Sequence, residues 1–214
     1  MKNILLNLSD WIYKKKCYFC GSSHDCARMC SKCYEKMFLG STSVNRKIFG
    51  VNIYTCGLYE STMQKLIRGL KYHNQRELAY YQAKFMWEYW QKLNLSGDFI
   101  IVPVPLFTTR QKERKYNHME LVAVEFSKLS GFEYDFNIIK RVKDTKPQYK
   151  LKRVERNENL KNAFAVNFDQ KPEKTLLLID DICTTGSTFE SMISELNKKE
   201  IYNITCLATA TVDF

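Results

Sequence analysis

The stretch TLLLIDDICTTGST, Thr175 to Thr188, decides how the chain is read. Its apolar run up to Ile179 has the pattern of a strand covered on both faces. Asp180 and Asp181 stand where that strand is expected to end, and a helix is expected from Ser187. In open α/β sheets, ligands gather at the carboxyl edge of the strands. The intervening loop offers backbone N–H groups, hydroxyls and a helix N-terminus to an anion, and Gly186 permits the tight turn. An ordinary strand–turn–helix with a hydroxyl cap gains nothing from adjacent carboxylates, which repel each other. A sugar phosphate suits the whole pattern: the acids accept from ribose hydroxyls while the loop holds the 5′-phosphate.

The 214 residues suffice for one α/β domain and a small appendage, and 45% of them are apolar, ample for a core. No apolar window is long enough for a membrane-spanning helix. The N-terminus runs into Lys14–Lys16 rather than a small-residue cleavage site, which speaks against a secretory signal and for a cytoplasmic protein. A net charge of +10 points to a polyanionic partner, either phosphorylated small molecules or nucleic acid.

Five of the eight cysteines fall between Cys17 and Cys33. Cys17 and Cys20 form one C-x2-C knuckle, and Cys30 and Cys33 a second. Together they supply four thiolates for a structural, tetrahedral Zn2+, which would contribute folding energy to a short polar segment. A redox dithiol needs one such pair, not two. Cys26 and His24 lie between the knuckles and are alternative ligands.

Residues 1–40 are therefore expected to form an N-terminal helix and a zinc-binding module, and residues 41–214 the main domain. Within the latter the pattern predicts a hairpin over Ile48–Tyr59 centred near Val51–Asn52 and helices over Glu60–Tyr72 and Arg76–Leu93. The aromatics of the second helix read as core. A first core strand is expected at Phe99–Val104, left where Pro103 and Pro105 exclude a central ladder. A helix over Asn117–Leu129 and strands at Phe136–Ile139, Phe164–Val166 and Tyr202–Thr211 complete the set. Lys65, Arg68 and Lys71 read as a solvated face. Lys140–Lys161, with nine basic residues against three acids, reads as a long functional loop. Strands alternating with helices imply a mostly parallel twisted sheet flanked by helices.

The opening stretch resembles the phosphoribosyl pyrophosphate (PRPP) signature of type I phosphoribosyltransferases. The chain more widely is similar to the ComF (ComFC) family of competence-associated, phosphoribosyltransferase-like proteins. The similarity rests on the four-cysteine module, IRGLKY (Ile67–Tyr72), IVPVP (Ile101–Pro105), RKYNH (Arg114–His118), and the run Thr145, Gln148, Leu151. It continues in the Arg156–Phe164 segment and in LLLIDDICTTGST. RKYNH departs from that family's usual R-G-F-N-Q. The resemblance implies a type I phosphoribosyltransferase-like α/β fold, PRPP held with Mg2+, and a part in natural transformation by DNA uptake.

The expected PRPP contacts are Asp180, Asp181, Cys183, Thr184, Thr185, Gly186, Ser187, Thr188, Val104 and Pro105, the two acids serving as ribose or Mg2+ contacts. Candidate pyrophosphate or nucleic-acid contacts are Arg110, Arg114, Lys146, Lys150, Lys152, Arg153 and Arg156. Thr184 stands where purine-salvage relatives carry an Asp, which disfavours purine salvage. No catalytic base is evident; His73 and His118 are candidates whose ordinary role is structural. Three readings stay open: a PRPP-binding protein that contacts single-stranded DNA during transformation, an active phosphoribosyltransferase with an unidentified acceptor, and a zinc-module adaptor that docks a DNA-uptake helicase.

Overall fold

The computed structural model describes residues 15–23, 25–39, 44–109, 115–144, 160–168 and 171–212. The chain divides into two compact units that part between Gly40 and Ser41. The helix expected within residues 1–16 falls almost wholly outside the described residues.

The first unit holds α1 (Ser31–Leu39), which follows a knuckle tightened at Gly21 by a left-handed φ of 77°. The second is a six-stranded sheet in the order β1-β2-β8-β7-β3-β4. Its strands are β1 (Arg46–Ile48), β2 (Val51–Thr55), β3 (Phe99–Pro103), β4 (Glu133–Tyr134), β7 (Thr175–Cys183) and β8 (Ile204–Thr211). Only the β1–β2 pair is antiparallel. A separate antiparallel pair joins β5 (Ile139–Arg141) to β6 (Phe164–Val166). The helices are α2 (Ser61–Tyr72), α3 (Leu78–Lys92), α4 (His118–Ser130) and α5 (Ser187–Asn197).

Side chains alternate across β7, so its two faces meet different helices. Leu176 and Leu178 join Phe189, Met192, Ile193 and Leu196 of α5 in one core. The opposite face is covered from α3, where Gln82 Nε2 donates to Thr209 Oγ1 of β8 at 2.7 Å. Of the aromatics of α3, Phe85 and Trp90 are core, as the pattern predicts, whereas Tyr80 is exposed. Trp90 stands edge-on to Phe99 at 5.1 Å and Trp87 edge-on to Phe126 at 5.8 Å. Such edge-to-face pairs add to the stabilisation from their buried area.

Four expectations shift. β7 continues through both acids to Cys183 instead of ending at them. The hairpin turns at Phe49–Gly50 (φ 49° and 79°), not at Val51–Asn52, because a two-residue turn that matches strand twist needs positive φ at both positions. Pro103 closes β3 as a paired residue opposite Ile179. Its missing N–H costs nothing, since β4 on the other side ends opposite Ile101. Of the strand expected at Phe136–Ile139 only Ile139 is in a strand, as the first residue of β5, with β4 lying before it; β5 also takes Lys140 and Arg141 out of the expected long loop.

Phe126 is fully buried at the junction of Trp87 and Phe132. Phe126→Ala is expected to cost about 3–5 kcal/mol, read as a lower denaturant midpoint at unchanged slope.

Candidate functional site: a carboxylate and an anion loop at the edge of the central strand

The same alternation separates the two acids. Asp180 is partly exposed and lines a concavity with Ile182, Cys183, Thr184, Gly186, Ser187, Thr188 and Phe189. Asp181 is on the other face, 4% exposed, where its Oδ2 lies 2.6 Å from Lys71 Nζ of α2 and is hydrogen-bonded to His118 Nε2 at the start of α4. Adjacency in sequence made the pair look like one ligand-binding unit. In an extended strand adjacent side chains cannot share a face.

Their electrostatics diverge accordingly. Burial pushes Asp180 up and the neighbouring Asp181 charge adds to it; Lys71, the Asp181 N–H and Arg141 offset part, leaving it at about 8. Burial would also raise Asp181, but Lys71 and His118 outweigh it and hold the carboxyl well below the usual range.

Lys71 is the residue that the sequence reading misplaced. It is a partly buried partner of Asp181, not part of a solvated face, its side chain being 16% exposed. The signal was its position four residues after Ile67, inside the apolar stripe of α2. His118 is positioned by Asn117, whose side chain caps α4 by accepting from the Met119 N–H at 3.0 Å. Asn117 also donates to Val104 O at 3.3 Å, tying this helix start to the end of β3. Lys115 takes a left-handed φ of 64°. That is the place where the RKYNH segment carries Lys instead of the resembled Gly. His73, the other candidate, is exposed just after α2.

The loop after β7 is shaped by its own hydroxyls and by β1. Thr185 Oγ1 and Ser187 Oγ are 2.7 Å apart, and Gly186, with φ 85°, opens α5 with no side-chain cap. A Cβ at Gly186 would collide with Ile48 Cδ1 of β1. The Arg46 guanidinium of β1 donates to Thr184 O at 2.8 Å and to Thr211 Oγ1 at 3.1 Å. Neither Arg46 nor Ile48 carried a sequence signal. Cys183 is buried, its thiol pushed by burial up to about 11, so it is not a thiolate at neutral pH. Val104 is buried, its N–H donating to Ile179 O at 2.9 Å, while Pro105 is partly exposed beyond it. Arg110, Arg114, Lys146, Lys150, Lys152, Arg153 and Arg156 lie outside the described residues.

In the first unit the Sγ atoms of Cys17, Cys20, Cys30 and Cys33 all lie within 4.8 Å of one another, and Cys20 and Cys30 are 3.7 Å apart. Tetrahedral thiolate coordination at about 2.3 Å requires about 3.8 Å between sulfurs, so the cluster could hold a metal ion. The Cys30 N–H points at Cys17 Sγ at 3.4 Å. Burial raises the Cys17 thiol, but backbone hydrogen bonds led by those of Cys20 and Cys30 bring it down to about 6. Burial, with hydrogen bonds among the thiols, raises Cys33. Cys26 is exposed, its Sγ 3.5 Å from Ser23 O and outside the cluster; His24 lies outside the described residues.

No family model matches the chain. It is 34% identical over 154 residues to Competence protein F of Haemophilus influenzae, a match covering 69% of this chain and 67% of that protein. It is 28% identical over 140 residues to the DNA utilization protein YhgH of Escherichia coli K12, covering 64% of this chain and 61% of that protein. The chain belongs to the competence protein F family. Among solved structures, an adenine phosphoribosyltransferase overlays with a TM-score of 0.40 at 11% identity, covering 85% of this chain and 91% of that one. A hypoxanthine phosphoribosyltransferase from Staphylococcus aureus gives 0.36 at 14%, covering 64% of each.

Two outcomes are expected. Lys71→Met leaves a buried carboxylate with one partner fewer and should cost about 3 kcal/mol in unfolding free energy. Asp180, with its folded value of about 8, keeps a proton that the unfolded chain releases near about 4. Stability from this group is therefore full at low pH and falls as pH rises towards 8. Asp180→Asn should flatten that fall in urea unfolding measured across this range.

Proposed function

We propose that the protein binds PRPP at the carboxyl edge of β7 and serves DNA uptake in natural transformation, contacting single-stranded DNA on the cytoplasmic side. The observation that carries the ligand reading is the concavity in which Asp180 and the loop to Thr188 meet at the N-terminus of α5. Ribose hydroxyls would donate to Asp180, and the 5′-phosphate would take the loop N–H groups and the positive end of the helix. Asp181, already neutralised by Lys71 and His118, would hold the site's walls together without touching the sugar. Mg2+ would accompany the pyrophosphate, with Asp180 as the carboxylate within reach from this concavity. The four thiolates would bind Zn2+ as a structural ion, the softness and spacing of the donor set fitting that metal.

The transformation role follows from family membership and from the name of the Haemophilus influenzae relative. The net charge of +10 and the basic stretch Lys140–Lys161 support a nucleic-acid partner. In a second reading, transfer of the phosphoribosyl group to an acceptor, Asp180 in the same concavity, its carboxyl pushed upward by burial and by Asp181, would suit proton transfer near neutral pH.

Calorimetry with PRPP and Mg2+ should give a one-site isotherm for the parent and at least a tenfold weaker one for Asp180→Ala. Heat equal in both would exclude Asp180 as a contact, and no heat in the parent would exclude the ligand. For DNA, log affinity for an oligonucleotide should fall linearly with log salt; a flat line would rule out phosphate contacts. Metal analysis should return about one zinc per chain, lost in Cys20→Ser/Cys30→Ser.

A further inference from the structure

We infer that Arg46 is the positioning residue of the anion loop, setting from behind which way the loop's amides face. This rests on the reading of the Cys183–Thr188 loop as the cradle for a phosphate. Arg46 belongs to the edge strand β1, yet its guanidinium joins two points far away in sequence. One N–H donates to Thr184 O at 2.8 Å, the other to Thr211 Oγ1 at 3.1 Å. The Thr211 hydroxyl in turn donates to Cys183 O at 2.7 Å. Both carbonyls at the start of the loop, Cys183 O and Thr184 O, are thus tied back towards β1 and β8.

That has a direct chemical consequence. In a trans peptide the carbonyl and the following N–H point in opposite directions. Tying back Cys183 O and Thr184 O turns the Thr184 and Thr185 N–H groups the other way, and it removes two carbonyl oxygens that would repel an anion. Ile48, two residues along β1, closes the same arrangement, because it occupies the space a side chain at position 186 would need. Only glycine fits there, and it takes the left-handed conformation from which α5 starts. The fixed positive charge of Arg46 also lies behind the loop and adds to the helix dipole at the anion's position.

The planar fork matters as much as the charge. Lys at this position keeps the charge but cannot hold two divergent acceptors in fixed geometry. A role limited to packing would lower thermal stability in both substitutions and leave anion affinity alone.

The test uses the full chain and two probes, inorganic phosphate and PRPP with Mg2+, titrated into parent, Arg46→Met and Arg46→Lys. Affinity is read by calorimetry, and the Thr184 and Thr185 amides by 15N–1H spectra. Arg46→Met should weaken both probes about tenfold or more and move both amide resonances in the free protein, while its thermal unfolding stays cooperative. Arg46→Lys should recover part of the affinity. Should the parent bind neither probe, the cradle reading fails, and this inference with it. If the parent binds and Arg46→Met binds equally well with unmoved amides, the cradle stands and the role of Arg46 is overturned. A variant that fails to fold is replaced by Thr211→Val, which removes the hydroxyl link to Cys183 O and should weaken phosphate about threefold or more. Unchanged affinity there overturns the inference as well.

Discussion

A carboxylate buried near the carboxyl end of the central strand has to be neutralised, and much of the second unit is arranged around that requirement. Asp181 draws Lys71 from the last turn of α2 and His118 from the first turn of α4 onto one face of the sheet. Removing a charge from water costs several kcal/mol unless partners and hydrogen bonds replace the solvent. Both helices are therefore held in register with β7. Tyr116 adds a second tie between the same elements by donating to Leu70 O at 2.5 Å. With this side fixed, the opposite face of β7 is free to present Asp180 to the loop.

The two faces thus divide the labour that two adjacent acids seemed to share. One acid is a permanent anion that organises helices. The other, beside that charge, has its carboxyl pushed above the usual range. Environments that push two carboxyl groups apart in this way are a recurring means of giving chemically identical side chains different roles.

The strand–loop–helix, the four-thiolate cluster and the helices with strong apolar stripes were legible in the sequence, because each is encoded by residues close together in the chain. What could not be read arises from long-range packing. Lys71 was indistinguishable from a solvated lysine until α2 was placed against β7. Arg46 lies 138 residues from the carbonyl it holds, beyond the reach of any local pattern. The hairpin turn at Phe49–Gly50 was missed because its first residue is neither Asn, Asp nor Gly, although Gly50 supplies half of the usual chemistry. Lys115 illustrates the converse: the departure from a glycine pattern was visible, but only the backbone reveals that the position demands φ of 64°, a strain of roughly 1 kcal/mol for a side chain.

The parallel pairing of β2 with β8 carries a consequence for how the molecule is made. Ile53 of β2 aligns with Cys206 of β8, partners about 150 residues apart. During synthesis the early hairpin leaves the ribosome long before its neighbour exists, so its inner edge waits unpaired while most of the chain is translated. Contacts this distant in sequence close slowly, and exposed strand edges invite misassembly. The loop acquires its backing from Arg46 only once Thr211 is in place. The loop's backing therefore arrives late in biogenesis, and a nascent chain halted before β8 would carry the motif without it.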